Sequence, residues 1–133
     1  MRLRYVAQMA SLVVGLGLFV AQPTLAQSAP AGDPVAGKQV FETKCAVCHS
    51  LTPGRKSVGP SLIGVFGKPA GTNDPTYSYS DEMKNSGKTW DAPTLDVYLT
   101  NPRADIHGMK MLFVGLPDAT DRANLIAFLA TLK

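Results

Sequence analysis

The chain is 133 residues long and carries 13 Lys and Arg against 10 Asp and Glu, and this length is typical of a single domain. Without Arg2 and Arg4, which lie in the N-terminal segment considered next, 11 basic residues remain against 10 acidic ones. This near balance of charge excludes a protein that binds nucleic acid by bulk electrostatic attraction.

Residues 1–26 have the pattern of a cleaved secretory signal peptide. Two arginines precede a mostly apolar segment from Val6 to Val20, and Ala26 is the small residue typical of a cleavage site. The apolar segment is shorter than the about 20 residues that a membrane-spanning helix needs. We therefore predict cleavage after or near Ala26 and export to the periplasm. The alternative is an uncleaved anchor that tethers the domain to a membrane complex.

Residues 33–133 are predicted to form one folded domain. A short flexible N-terminus, residues 27–32, is predicted to precede it. Asp33-Pro34 fits a helix N-cap followed by proline at the first helical position. Helical spacing then predicts one face composed of Gly37, Val40, Phe41, Lys44/Cys45 and Cys48. This first helix would therefore deliver the two cysteines at its C-terminal end.

The only two cysteines lie in the run Cys45-Ala46-Val47-Cys48-His49. A Cys-x-x-Cys-His run is typical of c-type haem attachment, in which both thiols form thioethers and the adjacent imidazole reaches the iron. A disulfide here would close too small a loop to stabilise the fold much. A thioredoxin-like site would need a βαβ context, and a structural zinc site needs about four ligands. The motif therefore predicts one covalent haem c, held by Cys45 and Cys48, with His49 as an axial iron ligand.

A long segment rich in Gly, Pro, Ser and Thr follows, from Leu51 to about Tyr79. A loop of this length within a compact domain needs something to order it, and a large buried cofactor would do so. Ser80 is suited to cap a short helix over residues 81–83, which Gly87 would close.

Two further helices are predicted in the C-terminal half. Asp91 opens the first and Asn101-Pro102 ends it, and the second begins at Pro117-Asp118. Their apolar faces would consist of Leu95, Tyr98 and Leu99 in the first and of Leu125, Phe128, Leu129 and Leu132 in the second. Because no alternating strand pattern runs for more than a few residues, we predict an all-α domain of about four to five helices.

The haem motif does not fix the second axial ligand of the iron. A thioether favours Fe(II) and raises the reduction potential, whereas a second imidazole would give a lower potential. The downstream residues of suitable chemistry are Met83, His107, Met109, Lys110 and Met111.

From residue 33 to residue 133 the chain resembles the class I c-type cytochromes, a family of small bacterial and mitochondrial-type monohaem proteins. The resemblance rests on the order and spacing of Gly37 and Phe41, Gly59-Pro60-Ser61-Leu62, Tyr77-Ser78-Tyr79-Ser80, Trp90, Tyr98, Asn101-Pro102, Gly108-Met109-Lys110-Met111-Leu112-Phe113 and Leu125-Ile126-Ala127-Phe128-Leu129. It implies the cytochrome c fold, in which helices and long loops surround one covalent haem. It also implies that the first helix passes close to the last one, where Gly37 meets Phe128.

The same resemblance implies roles for residues around the haem. Met111 matches the methionine of the family's Gly-x-Lys-Met-x-Phe loop and would be the second axial ligand, with Met109 as the alternative. The Pro60 carbonyl would accept the imidazole N–H of His49 and so orient the ring.

Three aromatic residues complete the implied haem surroundings. Tyr79 and Trp90 would hydrogen-bond a haem propionate, with ordinary aromatic core as the alternative, and Tyr98 would approach the ligand sulfur.

With both axial positions filled by the protein, no site is left for oxygen or peroxide. The resemblance therefore implies a one-electron carrier and not an enzyme. Its partners would be redox proteins: a membrane cytochrome complex as donor, and an oxidase, reductase or reaction centre as acceptor. It would meet them as a monomer, with no nucleic acid and no stable membrane insertion. The alternatives are a small haem enzyme with a labile sixth ligand site and a tethered carrier module of a membrane complex.

Basic residues lie in segments near the predicted haem, at Lys44, Arg55, Lys56, Lys84, Lys88 and Lys110. A basic ring around the haem edge would steer acidic partners towards it. The alternative is an ordinary solvated surface.

Overall fold

A computed structural model describes residues 32–55 and 57–133. Five helices lie in this part of the chain: α1 Pro34–Lys44, α2 Asp81–Lys84, α3 Ala92–Thr100, α4 Pro102–Asp105 and α5 Ala119–Thr131. The described residues form no β-strand, only one isolated bridge between Pro69 and Thr89. The all-α prediction is therefore confirmed.

The predicted signal peptide, residues 1–26, lies outside the described residues, and so does all of the predicted N-terminus 27–32 except Gly32. Within residues 32–55 and 57–133, no helix combines the length and the apolar character that crossing a bilayer requires.

Side-chain caps explain where the helices start. The carboxylates of Asp33, Asp91 and Asp118 accept hydrogen bonds from backbone N–H groups in the first turns of α1, α3 and α5, and the Ser80 hydroxyl does the same for α2. Each cap satisfies a donor that has no partner inside its helix. The four helix starts predicted from the sequence are confirmed.

Asn101-Pro102 does more than end α3. The Asn101 side chain accepts a hydrogen bond from the Ala104 N–H at 3.2 Å, and Pro102 occupies the first turn of α4. We predicted only a stop at this position, and the structure corrects this to a stop followed by a new start. The physical reason is that asparagine is a good N-cap and proline is well tolerated at the first helical position.

Close contact between α1 and α5 brings the two ends of the domain together. A Cβ at Gly37 would lie 1.9 Å from the Asn124 carbonyl oxygen and 2.8 Å from Cβ of Phe128, so only glycine fits at this crossing. One turn further along α1, the rings of Phe41 and Phe128 pack with their centroids 5.7 Å apart. The Asp33 N–H also donates to the Asn124 side chain at 2.8 Å. The haem motif at the end of α1 is thereby anchored to the C-terminal helix.

The long loop between α1 and α2 is ordered partly by its own hydrogen bonds. The buried Asp74 carboxylate accepts from the Ser61 N–H at 2.9 Å and from the N–H and hydroxyl of Thr76 at 3.0 and 2.7 Å. The Asn73 amide donates to the carbonyls of Ser61 and Ile63 at 2.9 and 3.1 Å. We predicted that a cofactor orders this loop, and the structure adds these internal contacts.

Arg122 fixes the start of α5 against α3. Its guanidinium is largely buried and donates to the Asp96 carboxylate at 2.7 Å and to the carbonyls of Leu116 and Pro117, both at 2.9 Å. The five donors of a guanidinium suit such a multiple contact. No local pattern in the sequence indicates this contact, because Arg122 and Asp96 are 26 residues apart.

Candidate functional site

A cavity of about 430 Å³ lies between the helices and the long loops of the described chain. The residues at the end of α1 form part of its wall, and α3 and α5 contribute Leu95, Leu99, Leu125 and Leu129. All the site residues predicted from the sequence also line it: Cys45, Cys48, His49, Pro60, Tyr79, Trp90, Tyr98 and Met111. Residues from four separate parts of the chain therefore converge on one mainly apolar space.

His49 is held from two sides by the Gly59-Pro60 pair. Its Nδ1 lies 2.8 Å from the Pro60 carbonyl oxygen, the contact that the resemblance implied. A Cβ at Gly59 would lie 2.6 Å from Cε1 of the ring, so the backbone packs directly against the imidazole. Burial lowers the pKa of His49, and the hydrogen bond to Pro60 opposes this effect. A neutral ring that donates from Nδ1 presents its other nitrogen, Nε2, as an electron-pair donor.

The two cysteines lie just after α1 and do not pair with each other in a disulfide. The Cys45 N–H still bonds to the Phe41 carbonyl at 2.8 Å, and the N–H groups of Cys48 and His49 both turn back to the Cys45 carbonyl. Burial, followed by the proximity of Cys48, raises the pKa of the Cys45 thiol to about 11. Because thiol–disulfide exchange needs a thiolate, this environment does not suit a thioredoxin-like pair.

A zinc site is also disfavoured by the structure. Among residues 32–55 and 57–133, no group of three or more His, Cys, Asp and Glu side chains is arranged to hold a metal ion. The two thiols and one imidazole are therefore not completed by a further ligand of that kind, which a structural zinc site would need.

Tyr98 places its hydroxyl beside two methionine sulfurs in the cavity. The hydroxyl lies 3.3 Å from Sδ of Met109 and 3.9 Å from Sδ of Met111. Burial, followed by the charge of Asp105, raises the pKa of Tyr98, which keeps the hydroxyl protonated as a donor. The approach of Tyr98 to a thioether was implied by the resemblance, but its preference for Met109 was not.

Tyr79 and Trp90 line the same cavity in different settings. The Tyr79 hydroxyl accepts a hydrogen bond from the Asp74 N–H at 3.1 Å, so its own proton remains to be donated. The Trp90 ring packs against Tyr98 with the centroids 4.7 Å apart. Backbone bonds from the Trp90 N–H to the Lys68 carbonyl and from the Gly67 N–H to the Trp90 carbonyl, both at 3.0 Å, hold this segment.

Only some of the other candidate ligands and basic residues lie at the cavity. Met83, Lys44 and Lys110 line the cavity, whereas His107 is exposed and is not part of its wall. The Lys110 ammonium donates to the Ser78 carbonyl at 2.5 Å.

The predicted basic ring is only partly present. Lys84 and Lys88 form ion pairs with Asp81 at 3.0 Å and Asp105 at 2.9 Å. Arg55 lines a smaller neighbouring cavity, and Lys56 lies outside the described residues. Of the six basic residues, only Lys44 and Lys110 line the large cavity in the described chain.

Ser57 and Asp74 support the site although neither carried a signal in the sequence. The Ser57 hydroxyl donates to the Cys48 carbonyl at 2.7 Å, and the Gly59 N–H donates to the same oxygen at 2.7 Å. Asp74 connects Ser61, next to Pro60, with Tyr79. Serine and aspartate are common in loops, so only the folded arrangement identifies these contacts.

The cavity suits a haem. Its walls are mainly apolar, the two thiols and the imidazole of the attachment motif lie on it together, and two thioether sulfurs reach it from another loop. Glycine at position 59 leaves room for the imidazole to stay in place against the backbone. This donor set of thiols, imidazole and thioether matches the chemistry of a c-type haem.

Comparisons with known proteins agree with this chemistry. The model of the cytochrome c family matches residues 34–133. Cytochrome c2 of Rhodomicrobium vannielii is 56% identical over 102 residues, which cover 76% of this chain and 80% of that protein. Cytochrome c2 of Rhodoblastus acidophilus is 50% identical over 104 residues, covering 77% and 95%. Among solved structures, cytochrome cH from Methylobacterium extorquens has a TM-score of 0.70 at 39% identity, over 75% of this chain and 99% of that one.

Proposed function

The chain belongs to the cytochrome c family, and we propose that it carries single electrons between redox proteins of the periplasm, with His49 and Met111 as the axial ligands of its iron. Family membership establishes an electron carrier with one covalent haem c, attached through Cys45 and Cys48, and not an enzyme. When bound, the haem supplies the one-electron chemistry by alternating between Fe(III) and Fe(II). The protein's residues supply attachment, orientation and insulation from water.

The observation that supports this proposal most strongly is the contact between His49 and Pro60. The Nδ1 atom is engaged at 2.8 Å by a backbone carbonyl, and the Gly59 backbone packs against the ring. A ring held in this way keeps Nε2 available at a fixed position, and the hydrogen bond increases its basicity. An electron carrier needs ligands that move little when the charge on the iron changes.

The choice of Met111 as the second ligand rests on the family's loop pattern and on its position in the cavity wall. Its side chain is half-buried against the core, as is that of Met109. Both sulfurs are neutral and soft, so either would favour the reduced state relative to an imidazole.

Leu95, Leu99 and Leu125 support the insulating role of the cavity. These side chains are buried, and they line the space with apolar surface. Lys44 and Lys110 lie at the cavity wall and would favour partners with acidic docking faces.

The proposal is tested by spectra of the purified holoprotein and two variants. We expect Met111→Ala to lose the near-infrared sulfur-to-iron charge-transfer band of the oxidised protein, and Met109→Leu to keep it. Retention of the band in Met111→Ala would refute the ligand assignment. Rapid binding of cyanide or CO by the unmodified holoprotein at neutral pH would instead indicate a labile sixth site.

Export is tested separately by intact mass. Protein recovered from the periplasm of an expressing bacterium should lack residues 1–26 and carry the mass of one haem. A full-length mass in the membrane fraction would favour the tethered carrier module.

A further inference from the structure

The Tyr98 hydroxyl is the starting point, because it is a buried donor with two competing acceptors. Tyr98 is only 7% exposed, and its ring is held by packing against Trp90. Within the described residues, the hydroxyl donates to no oxygen or nitrogen atom, and its partners are Sδ of Met109 at 3.3 Å and Sδ of Met111 at 3.9 Å. A buried O–H group is strongly favoured to keep a hydrogen bond, even to a weak acceptor such as a thioether.

The two sulfurs are not equivalent acceptors. A single O–H group directs its proton mainly to one acceptor, and Sδ of Met109, at 3.3 Å, is nearer to the hydroxyl than Sδ of Met111, at 3.9 Å. A sulfur that binds iron also commits one lone pair to the metal, whereas a sulfur that binds no metal keeps both. Distance and lone-pair availability therefore favour the same acceptor, Met109.

The direction of this proton affects the ligand. A hydrogen bond to a ligating sulfur withdraws electron density from it, which weakens its donation to Fe(III) more than to Fe(II). Hydrogen bonds around a metal ligand tune its donor strength in this way. Diverting the Tyr98 proton to Met109 leaves the Met111 sulfur the stronger donor.

We infer that Met109 is a positioning residue that draws the Tyr98 hydroxyl away from the Met111 sulfur and thereby lowers the reduction potential of the bound haem. The inference rests on the proposed function, because it takes Met111 as the ligand. Met109 acts through Tyr98 and does not itself bind the iron.

The test is a double-mutant cycle on the holoprotein with Met109→Leu and Tyr98→Phe. Leucine conserves the volume and apolar character of methionine but offers no acceptor. In Met109→Leu the Tyr98 hydroxyl donates its hydrogen bond to the Met111 sulfur, so the reduction potential should rise. The equilibrium constant for reduction should increase roughly threefold, which is the effect expected of one weak hydrogen bond. The charge-transfer band should shift but remain. In the Tyr98→Phe background, Met109→Leu should have no such effect.

Met83→Leu is the matched control. Met83 is also half-buried, lines the same cavity and carries a thioether, but it makes no hydrogen bond with Tyr98. Any change of the potential on its replacement should therefore be the same with and without the Tyr98 hydroxyl, and the band should remain.

Two outcomes would overturn the inference, and they separate it from the ligand assignment. An unchanged potential in Met109→Leu, or an equal change with and without the Tyr98 hydroxyl, would refute the role of Met109 while Met111 stays the ligand. Loss of the band in Met109→Leu, with retention in Met111→Ala, would refute the ligand assignment and the inference with it.

A measurement on the unmodified protein keeps the test independent of variant folding. In the NMR spectrum of the reduced holoprotein, the Tyr98 hydroxyl proton should show a nuclear Overhauser effect to the terminal methyl group of Met109. An effect to the methyl group of Met111 alone would refute the inference.

Discussion

Gly59 offers a direct test of how the polypeptide holds the imidazole of His49. A Cβ at Gly59 would lie 2.6 Å from Cε1 and 2.8 Å from Nδ1, whereas ordinary van der Waals contact begins at 3.4 Å. In Gly59→Ala the ring must therefore move by about 0.8 Å, the difference between the first and last of these distances. The φ angle of Gly59 is not positive, so the added methyl group acts by contact and not by backbone strain.

The expected effect has two parts. Overpacking of a well-filled site typically costs about 1–3 kcal/mol, and stretching the 2.8 Å contact between His49 and Pro60 weakens a hydrogen bond worth about 1 kcal/mol. We therefore expect the free energy of unfolding of Gly59→Ala holoprotein to fall by about 2–4 kcal/mol. A weaker bond at Nδ1 also makes the imidazole less basic, so the reduction potential should rise.

Guanidinium unfolding followed by haem absorption, with voltammetry on the same samples, measures both quantities. Gly64→Ala is the control, because nothing lies within 4 Å of a Cβ at Gly64, although its φ of +65° adds backbone strain. This control should lose about 1 kcal/mol and keep its potential. If Gly59→Ala matches Gly64→Ala in stability and keeps the potential of the unmodified protein, contact with Gly59 does not orient His49 and the reasoning fails.

Three further predictions concern charges. Lys88→Met should lower the free energy of unfolding by about 1–3 kcal/mol, because it removes the cation that pairs with the Asp105 carboxylate, which is 12% exposed and whose Oδ2 already lacks a partner. Lys84→Met removes the cation of an exposed ion pair and should change the free energy of unfolding by less than about 0.5 kcal/mol. Equal losses for the two variants in denaturant titrations would contradict this. Hydrogen bonds from the Ser61 N–H and then the Thr76 hydroxyl lower the pKa of Asp74 below its ordinary 3.8. The stability that the ionised Asp74 contributes is therefore complete above pH 3.8 and is lost as pH falls through the lower pKa of the folded state. Asp74→Asn should be less stable at neutral pH and lose less stability on acidification, and parallel pH–stability curves would refute this. Electron transfer with an acidic partner should slow as salt rises, and less steeply in Lys44→Gln; stopped-flow rates with unchanged salt dependence would exclude steering by this residue.

Local signals explain why much of the fold could be predicted. Helix caps depend on residues only two or three positions apart, so Asp33, Ser80, Asp91 and Asp118 were identified as helix starts from the sequence itself. The haem motif is similarly local, because its two thiols and imidazole lie within five consecutive residues. The start of α4 was missed because the local Asn-Pro signal is ambiguous: it can end one helix and also begin the next.

Contacts between distant segments could not be read in this way. The bond from the Ser61 N–H to Asp74 spans 13 residues, and the bond from Arg122 to Asp96 spans 26. Neither aspartate has a local pattern that distinguishes it from a solvated loop or helix residue. The position of the Tyr98 hydroxyl between two sulfurs likewise depends on how α3 packs against the following loop. The sequence predicts which residues would bind and surround the haem, and the tertiary structure identifies the contacts that hold those residues in place.

The size of the cavity leads to a last prediction, that the chain without haem is poorly folded. Empty cavities in protein cores cost about 24 cal/mol per Å³, so the 430 Å³ space, which is partly open to solvent, corresponds to a loss of at most about 10 kcal/mol. Domains of this size are stable by only about 5–15 kcal/mol in total. A double variant, Cys45→Ala with Cys48→Ala, removes both attachment points, and its thermal unfolding can be followed by circular dichroism beside the holoprotein. We expect a broad transition at much lower temperature, because the walls formed by Leu95, Leu125 and Leu129 lose their packing partner. A cooperative transition within a few degrees of the holoprotein would show that the helices and the Asp74 contacts maintain the fold without the cofactor.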